Sequence, residues 1–212
     1  SKIDKIQFES NSQSVITNSC LRILISLWFF LFLAQIKIKG IMLKEKMLNA
    51  LNEQINAEQY SAFLYLSMSA YLNDKGLPGF ANWMYIQYQE ELTHANKFFN
   101  YVNERGGKVE IKAIKQVDIE FESVIDVVEK TLEHEQLVTS LVNNLVDIAI
   151  SESDHATQSF LRWFVDEQVE EEANVQEILD TLKLINGQGN GIFMLDREMR
   201  QRTFVDETQA AG

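Results

Sequence analysis

The chain has 212 residues, with 31 Asp and Glu against 19 Lys and Arg, a formal net charge of −12, one Pro, nine Gly and one Cys. That length suffices for one domain with a substantial core, and the scarcity of Pro and Gly favours an all-α fold. A single cysteine, Cys20, excludes a disulfide framework and a thiolate metal site, while the acidity disfavours nucleic acid as a partner and suits attraction of cations.

Residues 1–41 differ from the rest. They carry five Lys and Arg against two Asp and Glu, or +3, which leaves −15 for residues 42–212. The run from Ile23 to Ala34 is apolar-dominated but only twelve residues long, short of the ~20 needed to span a bilayer as a helix. It resembles the apolar region of a signal peptide without a clear small-x-small cleavage site. Met42 then stands immediately before the amphipathic pattern begins. Residues 1–41 are therefore expected to be an upstream extension outside the natural mature protein, with a targeting or anchoring segment as the alternative. Residues 42–212 are read as one domain with no membrane partner.

A first helix is predicted over 43–73, with the inward stripe Leu48, Leu51, Ile55, Glu58, Ala62, Tyr65, Ser69 and Leu72. Gly76-Leu77-Pro78-Gly79 breaks it, and Pro78 suits the first position of a second helix running to residue 104 or 105. That helix presents Phe80, Met84, Gln87, Glu91, His94 and Phe98 on one face, and Gly106-Gly107 stops it. Residues 108–120 lack helical periodicity and read as an extended connection. A third helix over 123–151 shows Val124, Val128, Thr131, Glu135, Val138, Val142, Leu145 and Ala149. Asp154 is the expected N-cap of a fourth helix reaching Asn186, with Leu161, Phe164, Gln168, Glu171, Val175, Ile178, Leu182 and Ile185 inward. The glycine-rich run 187–191 ends it, and a short fifth helix is expected over 192–202.

Loop length sets the topology. The two short turns make antiparallel hairpins. A second helix of 27 residues is roughly 40 Å long, and thirteen extended residues reach roughly 43–47 Å. The long connection can therefore cross the whole bundle and set the second and third helices parallel. Depth supports the pairing: Glu58 lies 15 residues before Asn73, and Glu91 lies 13 after Pro78. At a rise of 1.5 Å per residue, their levels agree within about 3 Å. Glu135 and Gln168 agree within about one turn, and both hairpins repeat an interval of 33 residues, 58 to 91 and 135 to 168.

Each inward stripe is thus interrupted near its middle by a carboxylate, or by Gln168 beside one. An isolated ionised carboxylate in an apolar core is costly or loses its charge, so four such helices at matching depth point to one shared cation site. Glu91 and His94, at i and i+3, project from one face and can grip an ion together with Glu58. Glu135 and Gln168 lie opposite, where a second ion can sit with Glu91 bridging. Hard oxygen donors with one imidazole suit iron(II) or manganese. Tyr65, two turns from Glu58 on the same face, can supply a further electron.

Several runs resemble bacterial non-haem ferritin: residues 51–61 (LNEQINAEQYS), 89–94 (QEELTH), 133–137 (EHEQL) and 167–172 (EQVEEE). The resemblance extends from Met42 almost to the C-terminus. It implies a ferritin-like four-helix bundle of two hairpins and a long crossover, the known pattern of di-iron carboxylate bundles. It implies Glu58, Glu91 and His94 as ligands of a first iron and Glu91, Glu135 and Gln168 as ligands of a second. A third iron site maps to Glu90, Glu167, Glu170 and Glu171, and Tyr65 and Trp163 match the family's electron-donating aromatics. The family further implies iron(II) oxidation by dioxygen or hydrogen peroxide, a hollow shell of 24 subunits storing ferric mineral, channels lined by the fifth helix, and a cytoplasmic address.

Departures from the haem-containing branch are equally specific. Leu92 follows Glu91 where that branch carries a haem-ligating Met, and the fourth helix reads Gln168-Val169-Glu170-Glu171 in place of a second Glu-x-x-His. No haem is expected, and Gln168 implies a labile second ion. A rubrerythrin-like di-iron peroxidase and a passive mineral-holding cage remain as alternatives. The first calls for a further Glu ligand and often a Cys-rich module, and the second fits poorly with an intact ligand set. His134 and His155 are expected at the surface.

Overall fold

The computed structural model describes residues 28, 42–185, 189–206 and 208. The expectations for the extension before Met42, and for Asn186 through Gln188, lie outside those residues apart from Trp28. The chain divides into two units, Ser1–Met42 and Leu43–Gly212. The second carries α1 (Glu45–Asp74), α2 (Pro78–Glu104), α3 (Val124–Glu152), α4 (His155–Leu184) and α5 (Gly189–Met199). Its architecture is a four-helix bundle of two antiparallel hairpins, α1–α2 and α3–α4, joined by the crossover between residues 104 and 124, with α5 packed against α2.

Local chemistry sets the helix ends. Pro78 opens α2, where its missing N–H has no intrahelical role. Ser123 accepts from Asp126 N at 3.1 Å to open α3, and Asp154 accepts from Thr157 N at 3.1 Å to open α4. Gly76 ends α1 with φ +74°, and Leu77 N closes the turn on Leu72 O at 3.0 Å. α3 ends on Ser153 at φ 56°, a left-handed position without glycine. The fifth helix begins three residues earlier than expected and stops at Met199 rather than residue 202. Glycine at 191 permits this start, since a side chain there would press on Ile185 at about 3 Å. α5 docks through Asp196, whose Oδ1 accepts from Gly79 N at 2.7 Å and Phe80 N at 3.1 Å. A carboxylate thereby meets the free N–H groups of α2.

The apolar core consists of two clusters. One packs Met68, Leu72, Phe80, Met84, Val128, Val175 and Leu182, and the other packs Met47, Leu51, Ile55, Phe98, Val142, Leu145, Leu161 and Phe164. In sequence, each of α1 to α4 passes from one cluster to the other through a buried polar stretch. Glu58, Gln87, Glu91, His94, Thr131, Glu135, Gln168 and Glu171 are all buried there. Packing on either side fixes the helices, so the polar layer is held at the mid-height that the stripes predict.

Candidate metal centre

Three side chains converge most tightly. Glu58 of α1 and Glu91 and His94 of α2 each offer a donor atom within 4.8 Å of the other two, and all three are buried. Among the described residues this is the one such group of three or more acidic, histidine or cysteine side chains. The i, i+3 relation brings His94 Nδ1 to 3.6 Å from Glu91 Oε2. Gln54, one turn before Glu58, donates its amide to Glu58 Oε1 at 3.0 Å. Glu58 Oε2 and Glu91 Oε2 are fully buried and have no hydrogen-bond partner. A buried acceptor left so costs roughly 1–3 kcal/mol, more when charged. Two such oxygens, one of them 3.6 Å from the His94 imidazole, are what a cation would satisfy.

Glu135 and Gln168 stand outside that tight group, on α3 and α4. Glu135 Oε1 accepts from the Tyr65 hydroxyl, and its Oε2 accepts from Gln168 Nε2 at 3.2 Å. With its nitrogen engaged on Glu135, Gln168 has its amide oxygen as the atom able to bind a metal.

Electrostatics agree with a cation site. Burial, then the charge of Glu91, pushes the Glu58 carboxyl well above its usual range. Burial, then Glu135, does the same to Glu91. Burial, then Glu171, pushes Glu135 up to about 8. The Tyr65 phenol is raised well above its ordinary value by burial and then by Glu135. Each shift records negative charge crowded into a dry space, and a bound cation would reverse all of them.

The second carboxylate set adjoins the first through His94. Glu90, Glu167, Glu170 and Glu171 line a small cavity of about 40 Å³ that His94 also walls. His94 Nε2 lies 4.0 Å from Glu167 Oε1. Glu170 is exposed, whereas Glu171 is buried and accepts from Gln87 Nε2 at 2.8 Å. Trp163 meets the His94 ring edge-on at 5.4 Å between centroids, and Lys97 Nζ lies 4.0 Å over the indole.

The surface expectation for His134 is corrected. Its ring is half-buried between α1 and α3, with Nε2 2.8 Å from Ser61 Oγ and its plane edge-on to Tyr65. That burial lowers its pKa to about 4, so it is neutral near neutrality. His155 is exposed, as expected. The sequence reading gave no role to Gln54, Gln87 or Arg202, which organise the carboxylates. Gln54 carried a usable signal, because it sits four residues before Glu58 on the same face. Gln87 lay in the predicted stripe. Nothing local marks Arg202, which arrives through the return of the chain after α5.

Comparison with known proteins agrees with this geometry. The Ferritin family model, described as a ferritin-like domain, matches residues 48–185. The bacterial non-heme ferritin of Campylobacter jejuni is 42% identical over 159 residues, covering 75% of this chain and 95% of that protein. That of Bacteroides fragilis is 47% identical over 161 residues, covering 76% and 100%. Among solved structures, an open-pore ferritin from the hyperthermophilic archaeon Archaeoglobus fulgidus superposes with a TM-score of 0.75 at 48% identity, covering 76% of this chain and 98% of that one. A closed form of the same ferritin, engineered by site-directed mutagenesis, gives 0.76 at 48% identity, covering 77% and 99%. The chain, with its buried carboxylate and imidazole layer at mid-height of the bundle, belongs to the ferritin family.

Proposed function

We propose that this ferritin stores iron, oxidising iron(II) at a centre built by Glu58, Glu91, His94, Glu135 and Gln168 and depositing ferric product inside a shell of 24 subunits. The observation that carries the reading is the pair of buried, unpartnered oxygens, Glu58 Oε2 and Glu91 Oε2, beside His94. In this reading Glu58, Glu91 and His94 bind one iron ion, Glu91 bridges to a second, and Glu135 and Gln168 complete that ion's ligands. Two iron(II) ions give up one electron each, and dioxygen with two protons leaves as hydrogen peroxide. The raised carboxyls release their protons as iron binds, because the ion replaces the proton as partner.

Tyr65 holds Glu135 in place; with one electron from its phenol and one from a third iron(II) added to the first two, dioxygen would be carried to two waters instead of to hydrogen peroxide, the phenol losing its proton with its electron. Glu90, Glu167, Glu170 and Glu171 form a third iron site on the way out of the centre, and Trp163 beside His94 is a second candidate electron donor. Gln168, a neutral ligand where a carboxylate would bind more strongly, lets the second ion leave. Assembly would cover the exposed apolar side chains Phe63, Phe193 and Met194.

Residues 42–212 are the working domain in this reading. Among the described residues no helix is long and apolar enough to cross a membrane. We place the protein in the cytoplasm. Size-exclusion chromatography after aerobic loading tests the whole account. Iron should co-elute with the shell in amounts far above what its ligand side chains hold directly, and iron limited to a few ions per subunit would overturn storage.

A further inference from the structure

The chain comes back to the carboxylate cluster after its last helix. Beyond Met199 the backbone turns, with Arg200 N on Asp196 O at 3.2 Å and Arg202 N on Met199 O at 3.3 Å. Asn82 of α2 grips this turn, its Nδ2 donating to Met199 O at 3.2 Å and Arg202 O at 3.0 Å. The Arg202 guanidinium lies over the Trp83 ring, 5.0 Å from its centroid. From there one nitrogen donates to Gln87 Oε1 at 2.5 Å and another to Glu90 Oε2 at 2.7 Å. Gln87 in turn donates to Glu171 Oε2 at 2.8 Å. One cation is therefore bonded to one carboxylate of the third cluster directly and to a second through an amide. Val205 and Thr208 continue the same wall of the cavity, and Lys97 Nζ donates to Thr208 O at 3.3 Å.

We infer that Arg202 is a built-in counter-ion of the third iron site, competing with the ion for Glu90 and keeping the site one through which iron passes. The inference rests on the third-site reading given under Proposed function. Four carboxylates around one small cavity repel one another unless something positive stands among them, and the Arg202 guanidinium stands there. An incoming iron ion must then share Glu90 with a fixed positive charge or push it aside. Displacement is open to this side chain, because it belongs to the tail beyond α5 and is about a quarter exposed. To swing outward it must leave the face of Trp83 and its bonds to Gln87 and Glu90. Arg202 is on this account a positioning residue that sets how tightly the third ion is held.

The test is an anaerobic calorimetric titration of the assembled, iron-free protein with iron(II). Two variants separate charge from shape: Arg202→Gln keeps a hydrogen-bonding side chain without the charge, and Arg202→Lys keeps the charge. The weakest class of bound iron(II) should tighten roughly tenfold in Arg202→Gln, and should stay within about twofold of wild type in Arg202→Lys. A merely structural Arg202 would be disturbed comparably by both changes. An unchanged or weakened class in Arg202→Gln, or a Lys variant that behaves like the Gln one, would overturn the inference. Glu170→Ala, at an exposed residue that lines the cavity, separates the two levels of the argument. It should abolish the weakest class. If that class persists in Glu170→Ala, or is missing from wild type and Arg202→Gln alike, the third-site reading fails and the inference with it. Elution of each variant at the shell volume confirms assembly.

Discussion

The Tyr65 hydroxyl on α1 donates to Glu135 Oε1 on α3, tying a phenol of one hairpin to a carboxylate of the other across the middle of the bundle. Both side chains are fully buried. A hydrogen bond in a dry site holds Glu135 more firmly than solvent would. Tyr65→Phe removes the donor and any electron the phenol supplies. The fast oxidation of iron(II) should slow roughly tenfold, the equivalent of ~1.4 kcal/mol of barrier, while the shell stays assembled. An unchanged stopped-flow rate would show that the hydroxyl neither positions Glu135 nor joins the redox step.

Metal-free stability should fall as pH rises above about 6.5, where the buried His134 no longer contributes to the slope. Glu135 has an ordinary value of 4.5 and is raised to about 8 in the fold, and Glu58 and Glu91 are shifted in the same direction. Between those values the folded state holds the Glu135 proton that the unfolded state has released, so this contribution is complete below about pH 4.5 and is lost as pH climbs toward 8, with Glu58 and Glu91 acting in the same direction. Iron(II) under argon should restore it, since the ion takes the place of the protons. Melting temperature against pH, with and without iron(II), reads both effects. A metal-free melting curve that improves between pH 6.5 and 8 would contradict the proposed burial of these carboxyls, whereas below pH 6.5 the buried neutral His134 works in the opposite direction.

On the proposed reading, Gln168 sets how long the second ion stays. Gln168→Glu adds a charged oxygen beside Glu135, and iron(II) binding at that position should strengthen by roughly tenfold. The first turnover should remain fast while later turnovers slow, because product leaves reluctantly. Multi-turnover oxidation in an oxygen electrode distinguishes the two. Equal slowing of the first and later turnovers would mean that Gln168 acts on the chemistry rather than on release.

Asp154 joins the hairpins at their far end. Its carboxylate caps α4 through Thr157 N, accepts from Thr157 Oγ1 at 2.7 Å, and takes two bonds from one Arg105 nitrogen at 3.1 Å each. Asp154→Ala should cost about 1–2 kcal/mol, the usual range for a lost N-cap. The midpoint of denaturant unfolding would show it, and oxidation of iron(II) should be untouched because the centre lies mid-bundle. A loss of oxidation without a loss of stability would place Asp154 in a role the geometry does not suggest.

The helices and the depth of the polar layer were legible because both follow from periodicity. Leu51, Ile55, Glu58 and Ala62 share a face by spacing alone, and all four are buried. Pro78 and Asp154 mark their helix starts by local chemistry, so those boundaries were readable to the residue. The start of α5 was not, because glycine-rich sequence carries no helical preference and the helix forms by docking Asp196 on α2. His134 sits at the edge of its helix face, where composition cannot tell a solvated ring from one wedged against Ser61. Arg202 is a more general case. Its contact with Glu90 spans 112 residues, and no local pattern encodes a partner reached only after the tail folds back.

The central claim is that Glu58, Glu91 and His94 with Glu135 and Gln168 oxidise iron(II), and Glu91 is its most exposed point because it serves both ions. The direct measurement is stopped-flow absorbance after mixing the metal-free shell with about two iron(II) per subunit in air. Wild type should show a fast phase, and Glu91→Ala should lose it while still eluting as a shell, since Glu91 is 2% exposed inside its own subunit. A normal initial rate in Glu91→Ala would contradict the site, and no fast phase in wild type would leave a cage that holds mineral without oxidising iron.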